Sequence, residues 1–202
     1  MPKVRLSDWG NSTHDAPVMS HSISLAAVTG RFQPFHAGHL DLVRIALGEA
    51  ERVIIGITNP DPGSWREHSD SAHRHRPEAN PFTFYERMSM IADVLADEGV
   101  SGRCAIVAFP LDRPEVWGHY IPQSAVQYVR AFSEWERSKA DLLASGGYAV
   151  RLFDGDPARE VRASSIRAAV REGRLDDVDD LLPRGVRSVL VHTDLSSTKV
   201  RA

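Results

Sequence analysis

The sequence predicts an α/β fold of the Rossmann-like, doubly wound kind: a mostly parallel sheet with helices on both faces. Three observations carry that prediction. Apolar runs of strand length alternate with amphipathic runs of helix length along most of the chain. One of the strand-length runs, "RVIIGIT" (52–58), is apolar almost throughout, as a strand covered on both faces of a parallel sheet must be. The first strand also runs into a loop bearing glycine, proline and histidine and then directly into a helix, which is where such sheets build a ligand site.

Each element has its own warrant. "SLAAVTG" (24–30) is small and apolar and forms the first strand, and "HLDLVRIALGEA" (39–50) follows as a helix with Leu40, Val43, Ile45 and Leu47 near helical spacing. After the second strand, "NPDPGSWREHSDSAHRHRPEANP" (59–81) shows no periodicity and reads as a long loop of the functional kind. "TFYERMSMIADVLADEG" (83–99) is a helix opened by a capping box, Thr83 at the cap and Glu86 three residues on. "RCAIVAFPL" (103–111) is the third strand. "SAVQYVRAF" (124–132) suits either a strand or a short helix. "SEWERSKADLLASGG" (133–147) is a helix stopped by glycines, and "YAVRLFD" (148–154) is a further strand. "ASSIRAAVREG" (163–173) reads as a helix with a serine at its cap and Gly173 at its end, and the tail "LDDVDDLLPRGVRSVLVHTDL" (175–195) as mostly helical, broken at Pro183.

The 202 residues, 42% hydrophobic and 25% charged, suit one globular domain, expected over 23–202 behind a flexible polar extension at 1–22 with Met19 as an alternative start. A net charge of −3 excludes a general attraction for nucleic acid or acidic membranes, so any anion site must be a local cluster. The single Cys104 excludes an internal disulfide framework and a Cys-rich zinc site, and fits a reducing cytoplasm. No apolar run approaches the about 18 residues of a membrane span. Nothing in this composition decides between a monomer and a homo-oligomer.

The chemistry concentrates in "TGRFQPFHAGH" (29–39). Gly30 leaves room for a ligand near the backbone, and Pro34 stiffens a turn between Phe32 and Phe35. His36 and His39 are three residues apart, so a helix starting near Ala37 points both the same way from its first turn. A helix N-terminus favours phosphate, Gly38 permits close approach, and Arg31 adds charge. Two imidazoles there can stabilise the charge that grows on a pentavalent phosphorus. In a second cluster, "VRASSIRAAV", Ser164, Ser165 and Arg167 gather hydroxyls, N–H groups and a guanidinium at another helix start. Alone, that cluster reads as an ordinary capped helix. No Ser-His-Asp set or carboxylate pair stands out. His68, His73 and His75, mixed with Arg74 and Arg76, read as a solvated or phosphate-contacting lid more than as a metal site, and Trp65 and Trp135 read as core.

Together the two clusters resemble a known family. "GRFQPFHAGH" resembles the (H/T)xGH loop of the nucleotidylyltransferase superfamily, particularly the archaeal-type nicotinamide mononucleotide adenylyltransferases. "ASSIR", "ANPFTFYERMSMI", "VWGHYIP" and "LLPRGVRSVL" resemble that family's later segments, from about residue 24 to 190. The resemblance implies that His36 and His39 contact a triphosphate within a loop of Gly30, Arg31, Phe32 and Gly38. It implies that Ser164, Ser165 and Arg167 bind phosphates, that Asn80 and Arg87 line the acceptor side, and that Trp117 lies near the acceptor base. It further implies Mg²⁺, with no metal ligand assigned to the protein, and attack by an acceptor phosphate on the α-phosphorus of a nucleoside triphosphate. The expected product is AMP transferred from ATP to nicotinamide mononucleotide or a relative, in NAD biosynthesis. The loop before "NPFT" is longer than the family's, and the family's Asn-Pro-Leu-Val stretch is replaced by "RAFSEWERSKADLL". A cytidylyltransferase acting on a small phosphonate or phosphate monoester therefore stands as an alternative, and a catalytically silent nucleotide-binding regulator as another.

Overall fold

The computed structural model describes residues 22–65, 75–191, 193 and 195. The segment up to residue 21, with Met19, and His68, His73 and Arg74 of the long loop lie outside the described residues. Five strands, β1 (Ile23–Gly30), β2 (Ala50–Ile57), β3 (Cys104–Ala108), β4 (Val126–Ala131) and β5 (Val150–Asp154), form one sheet in the order β3-β2-β1-β4-β5. Every pairing is parallel, from Ile57 beside Ala108 on one flank to Ala131 beside Asp154 on the other. The chain winds outward from β1 to β3, then crosses back to lay β4 against the other side of β1. That reversal puts the switch point between β1 and β4, where ligand sites of open parallel sheets form.

The helices are α1 (Ala37–Glu49), α2 (Phe84–Asp97), α3 (Glu134–Ser145), α4 (Ala163–Arg171) and α5 (Arg184–Val191). Among the described residues, none is long and apolar enough to cross a membrane. The larger core joins α1, α2, α4 and α5 to Val53, Ile55 and Ile57 of β2. The smaller core, on the opposite face, joins Ala140 and Leu143 of α3 to Ile54, Phe109 and Trp117. Successive β2 residues thus serve both cores, which explains its uninterrupted apolar run.

"SAVQYVRAF" resolves as β4. Tyr128 enters the larger core and Val129 the smaller, a period of two that only a strand allows. The capping box of α2 forms as read: Thr83 N–H donates to Glu86 Oε2 at 2.8 Å and Glu86 N–H to Thr83 Oγ1 at 3.2 Å. Helix α4 departs from expectation. It starts at Ala163 with extended Arg162 in the cap position, so Ser164 and Ser165 lie inside its first turn. Gly173 sits just beyond it at φ +69°, the left-handed conformation that ends helices.

Candidate active site

A cleft of about 360 Å³ opens at the C-terminal ends of β1 and β4. Its walls come from opposite faces of the sheet: α1 and α4 supply one, α3 the other. Of the residues expected at the site, Gly30, Arg31, Phe32, His36, Gly38, His39, Ser164 and Arg167 line this cleft. Ser165, Asn80, Arg87 and Trp117 do not.

His36 occupies the cap position of α1, and its ring stacks on His39 with centroids 3.6 Å apart. The His36 backbone N–H donates to His39 Nδ1 at 3.3 Å. An accepting Nδ1 places the proton of a neutral His39 on Nε2, making that nitrogen the donor. Phe32 meets the His39 ring edge-on at 4.9 Å and Phe35 stacks on it at 5.5 Å, so aromatic contacts set the ring's orientation. Burial drives the His36 pKa down to about 3, so this imidazole is neutral at pH 7. It therefore offers hydrogen bonding, not charge.

Gly30 also has a packing reason: a Cβ there would lie 2.7 Å from Cε1 of Phe32, so the glycine makes room for that ring. Phe32 is itself held at φ +52°, unusual for an aromatic residue, and fully buried.

Two buried arginines divide the labour. Arg87, 1% exposed, lies outside the cleft and donates to five carbonyls: Arg31 at 2.9 Å, Thr58 at 2.8 Å, Asn59 at 2.8 Å, Thr83 at 3.2 Å and Pro60 at 3.5 Å. Its pKa falls to about 10 through burial, with Glu86 opposing. Sequence reading placed it at the acceptor; the structure makes it a clamp between the loops after β1 and β2. Arg167 donates through Nη1 to the Gln33 carbonyl at 2.6 Å, tying α4 to the first loop. Its buried Nε has no partner, and it has no carboxylate partner among the described residues. Burial, and secondarily Arg171, lowers its pKa to about 10.

Asn80 braces the same loop from behind, its Oδ1 3.4 Å from Arg31 Nη1 and its amide donating to the Arg76 carbonyl at 2.9 Å. Trp117 is 2% exposed, its indole N–H bonded to the Pro110 carbonyl at 2.9 Å and its ring packed on Phe109 and Tyr148. It is packed as core and does not line the cleft, where it was expected beside an acceptor base.

The structure adds residues that sequence reading passed over. The Gln33 amide pairs twice with the Phe82 backbone, both bonds at 2.9 Å, joining the first loop to the "NPFT" segment. Lys139 of α3 lines the cleft, as do Asp112, Glu136 and Glu160, and Trp135, read from the sequence as core, both packs on the smaller core and lines the cleft one turn away. A signal for Lys139 and Trp135 existed in their spacing of four on a helix that follows the switch-point strand. Among the described residues no three His, Cys, Asp or Glu side chains form a metal cage.

The cytidylyltransferase-like family model matches residues 27–202. The chain belongs to the cytidylyltransferase-like family. As a member it is a nucleotidyltransferase. It is 34% identical to the phosphonoformate cytidylyltransferase of Streptomyces viridochromogenes over 164 residues, 81% of this chain and 88% of that one. It is 32% identical to the nicotinamide-nucleotide adenylyltransferase of Thermococcus sibiricus over 159 residues, 78% of this chain and 77% of that one. Among solved structures, a bifunctional NMN adenylyltransferase/ADP ribose pyrophosphatase from Francisella tularensis superposes with a TM-score of 0.57 at 19% identity. That match covers 86% of this chain and 51% of that one, so the chain spans about half the length of the Francisella protein. A second structure of this kind from Francisella holds AMP and a manganese ion, with a TM-score of 0.55, 19% identity and coverage of 86% and 50%. At that identity these structures speak for the fold of this cytidylyltransferase-like chain alone.

Proposed function

We propose that the chain transfers a nucleoside monophosphate from CTP to a small acceptor carrying a phosphonate or phosphate group, releasing pyrophosphate. The observation that carries this reading is Arg167, a buried guanidinium on the cleft wall with no carboxylate partner among the described residues. An unpaired buried cation is costly, and a triphosphate oxygen supplies its counter-charge. Ser164 on the same helix turn and Nε2 of His39, on α1 of the same wall, add donors toward the same anion.

The acceptor group is already an anionic nucleophile, so no residue has to remove a proton. Its oxygen attacks the α-phosphorus, the bond to the bridging oxygen breaks, and pyrophosphate departs toward Ser164 and Arg167. Positioning and charge stabilisation provide the rate. Mg²⁺ carried in on the triphosphate would supply further charge neutralisation.

CTP and a small phosphonate acceptor are supported by the Streptomyces phosphonoformate cytidylyltransferase. A second reading, AMP from ATP onto nicotinamide mononucleotide in NAD biosynthesis, is supported by the Thermococcus relative. The gathering of His36, His39, Ser164 and Arg167 in one cleft speaks against a silent regulator. The test is pyrophosphate release across the four common nucleoside triphosphates paired with phosphonoformate, nicotinamide mononucleotide and simple phosphate monoesters. Turnover concentrated in CTP with phosphonoformate supports the proposal. Turnover confined to ATP with nicotinamide mononucleotide selects the second reading, and no release with any pair selects the regulator.

A further inference from the structure

We infer that Gln33 is a positioning residue for the triphosphate: its buried amide fixes the backbone carbonyl that aims Arg167, and so sets how tightly the chain binds a nucleoside triphosphate. This rests on the transfer reaction proposed above. Gln33 lies at the cleft yet is 2% exposed, so its side chain is turned into the protein. Both ends of the amide are used there. Its Nε2 donates to the Phe82 carbonyl and its Oε1 accepts from the Phe82 N–H, each at 2.9 Å.

The Gln33 carbonyl is in turn the one hydrogen-bond partner of the Arg167 side chain among the described residues, 2.6 Å from Nη1. An arginine side chain turns about several bonds, and anchoring one nitrogen removes much of that freedom before a ligand arrives. Nε of Arg167 stays buried and without a partner. An anion that meets this guanidinium therefore meets a group placed by the Gln33 backbone, and that backbone is itself held by the double bond to Phe82.

Helix α4 reaches the same segment a second time: Arg171, one turn beyond Arg167, donates to the Glu78 carbonyl at 2.9 Å. The first loop, the segment 78–82 and α4 thus close a triangle of bonds from side chain to backbone, with Gln33 at the corner where two of its sides meet. That corner makes a specific chemical demand. The Phe82 backbone needs a donor and an acceptor side by side, which an amide supplies, a carboxylic acid supplies only while protonated, and a thioether does not supply. A carboxylate at this position would face the Phe82 carbonyl oxygen to oxygen in a buried place, and desolvation and that carbonyl would both raise its pKa.

The test measures CTP and ATP binding by calorimetry, without acceptor, to wild type, Gln33→Glu and Gln33→Met at about pH 5.5 and about pH 8. Melting temperatures establish that each protein is folded, and each variant's Kd is divided by that of wild type at the same pH. Gln33→Met is expected to bind the preferred triphosphate about tenfold more weakly at both pH values, the cost of about one hydrogen bond. Gln33→Glu is expected to bind within about threefold of wild type at the lower pH, where its acid mimics the amide, and about tenfold more weakly at the higher. In an Arg167→Met background the ratio for Gln33→Glu should no longer change with pH, because the group it positions is gone. A ratio that is level with pH in the parent, or one that keeps its pH dependence after Arg167→Met, overturns the assignment. A purely structural Gln33 would give the first of these results, with a lowered melting temperature and an unmoved Kd. Should Gln33→Met not fold, the Gln33→Glu ratios decide alone. A wild type that binds neither triphosphate overturns the transfer reading and this assignment together, whereas tight wild-type binding with level ratios overturns only the role of Gln33.

Discussion

The His36 backbone N–H donates to Nδ1 of His39 at 3.3 Å while the two rings stack with centroids 3.6 Å apart. The cap of α1 and the orientation of its first-turn histidine are therefore one arrangement. Because Nδ1 accepts, a neutral His39 carries its proton on Nε2 and acts as a donor to phosphate. Replacing His39 with Ala should lower kcat by at least about a hundredfold, the cost of one donor to a charged transition state, with a smaller change in triphosphate KM. Steady-state kinetics at saturating triphosphate checks this. Wild-type turnover would remove His39 from the reaction.

His36 makes a pH prediction with a definite sign. Burial lowers its pKa to about 3, whereas in the unfolded chain it titrates near 6.5. Below about pH 6.5 the unfolded state takes up a proton that the folded state refuses, so stability falls as pH drops from 6.5 toward 3 and is level above. The slope is at most about 1.4 kcal/mol per pH unit. The melting temperature of wild type should fall more between pH 7 and pH 5 than that of His36→Asn. Parallel curves for the two proteins would refute it.

Arg87 should prove structural. Its fork and Nε hold carbonyls of Arg31, Thr58, Asn59 and Thr83. Arg87→Met strands those acceptors, and with about 1–3 kcal/mol at stake for each buried unsatisfied group, the loss should exceed about 3 kcal/mol in urea unfolding. Arg87→Lys should rescue little, because an ammonium cannot span acceptors arranged for a planar fork. A wild-type unfolding midpoint in Arg87→Met would show that the clamp is idle.

Local pattern carried the fold because the apolar run of a central strand such as β2, and the spacing of each helix, is written within a few residues. The first loop was legible for the same reason: strand, Gly30, His36 and His39 are contiguous. What was not legible depends on partners distant in sequence. Arg87 and Arg167 look alike as charges, yet one ends on backbone carbonyls 28 to 56 residues away and the other beside an open cleft. Trp117 sits in a motif that resembles a ligand segment, and only the packing of Phe109 and Tyr148 around it makes it core. Lys139 is 110 residues from Thr29, and nothing near it in sequence announces that bond.

Gly30 should be intolerant of even one methyl group. A Cβ there would lie 2.7 Å from the Phe32 ring, which in turn meets His39 edge-on at 4.9 Å. Overpacking of this kind costs about 1–3 kcal/mol and shifts the ring. Gly30→Ala should lower both the melting temperature and kcat, and adding Phe32→Leu should recover part of the melting temperature but not of kcat, since the edge contact to His39 stays lost. A fully active, fully stable Gly30→Ala protein would mean that Phe32 does not set the histidine.

Trp117 separates packing from ligand contact. Its ring is enclosed by Phe109 and Tyr148, and its N–H is spent on the Pro110 carbonyl at 2.9 Å. Trp117→Ala should cost about 3–5 kcal/mol as a cavity, enough to unfold much of the protein at assay temperature. Trp117→Phe is the informative variant, because it keeps most of the packing and strands one buried carbonyl, for about 1–3 kcal/mol. If Trp117 acts only through packing, Trp117→Phe lowers the melting temperature, while acceptor KM per folded molecule stays within about twofold of wild type. Stacking on an acceptor ring would reverse the pattern. The melting temperature would hold, the acceptor KM would rise, and a nicotinamide-bearing acceptor would return as the better substrate.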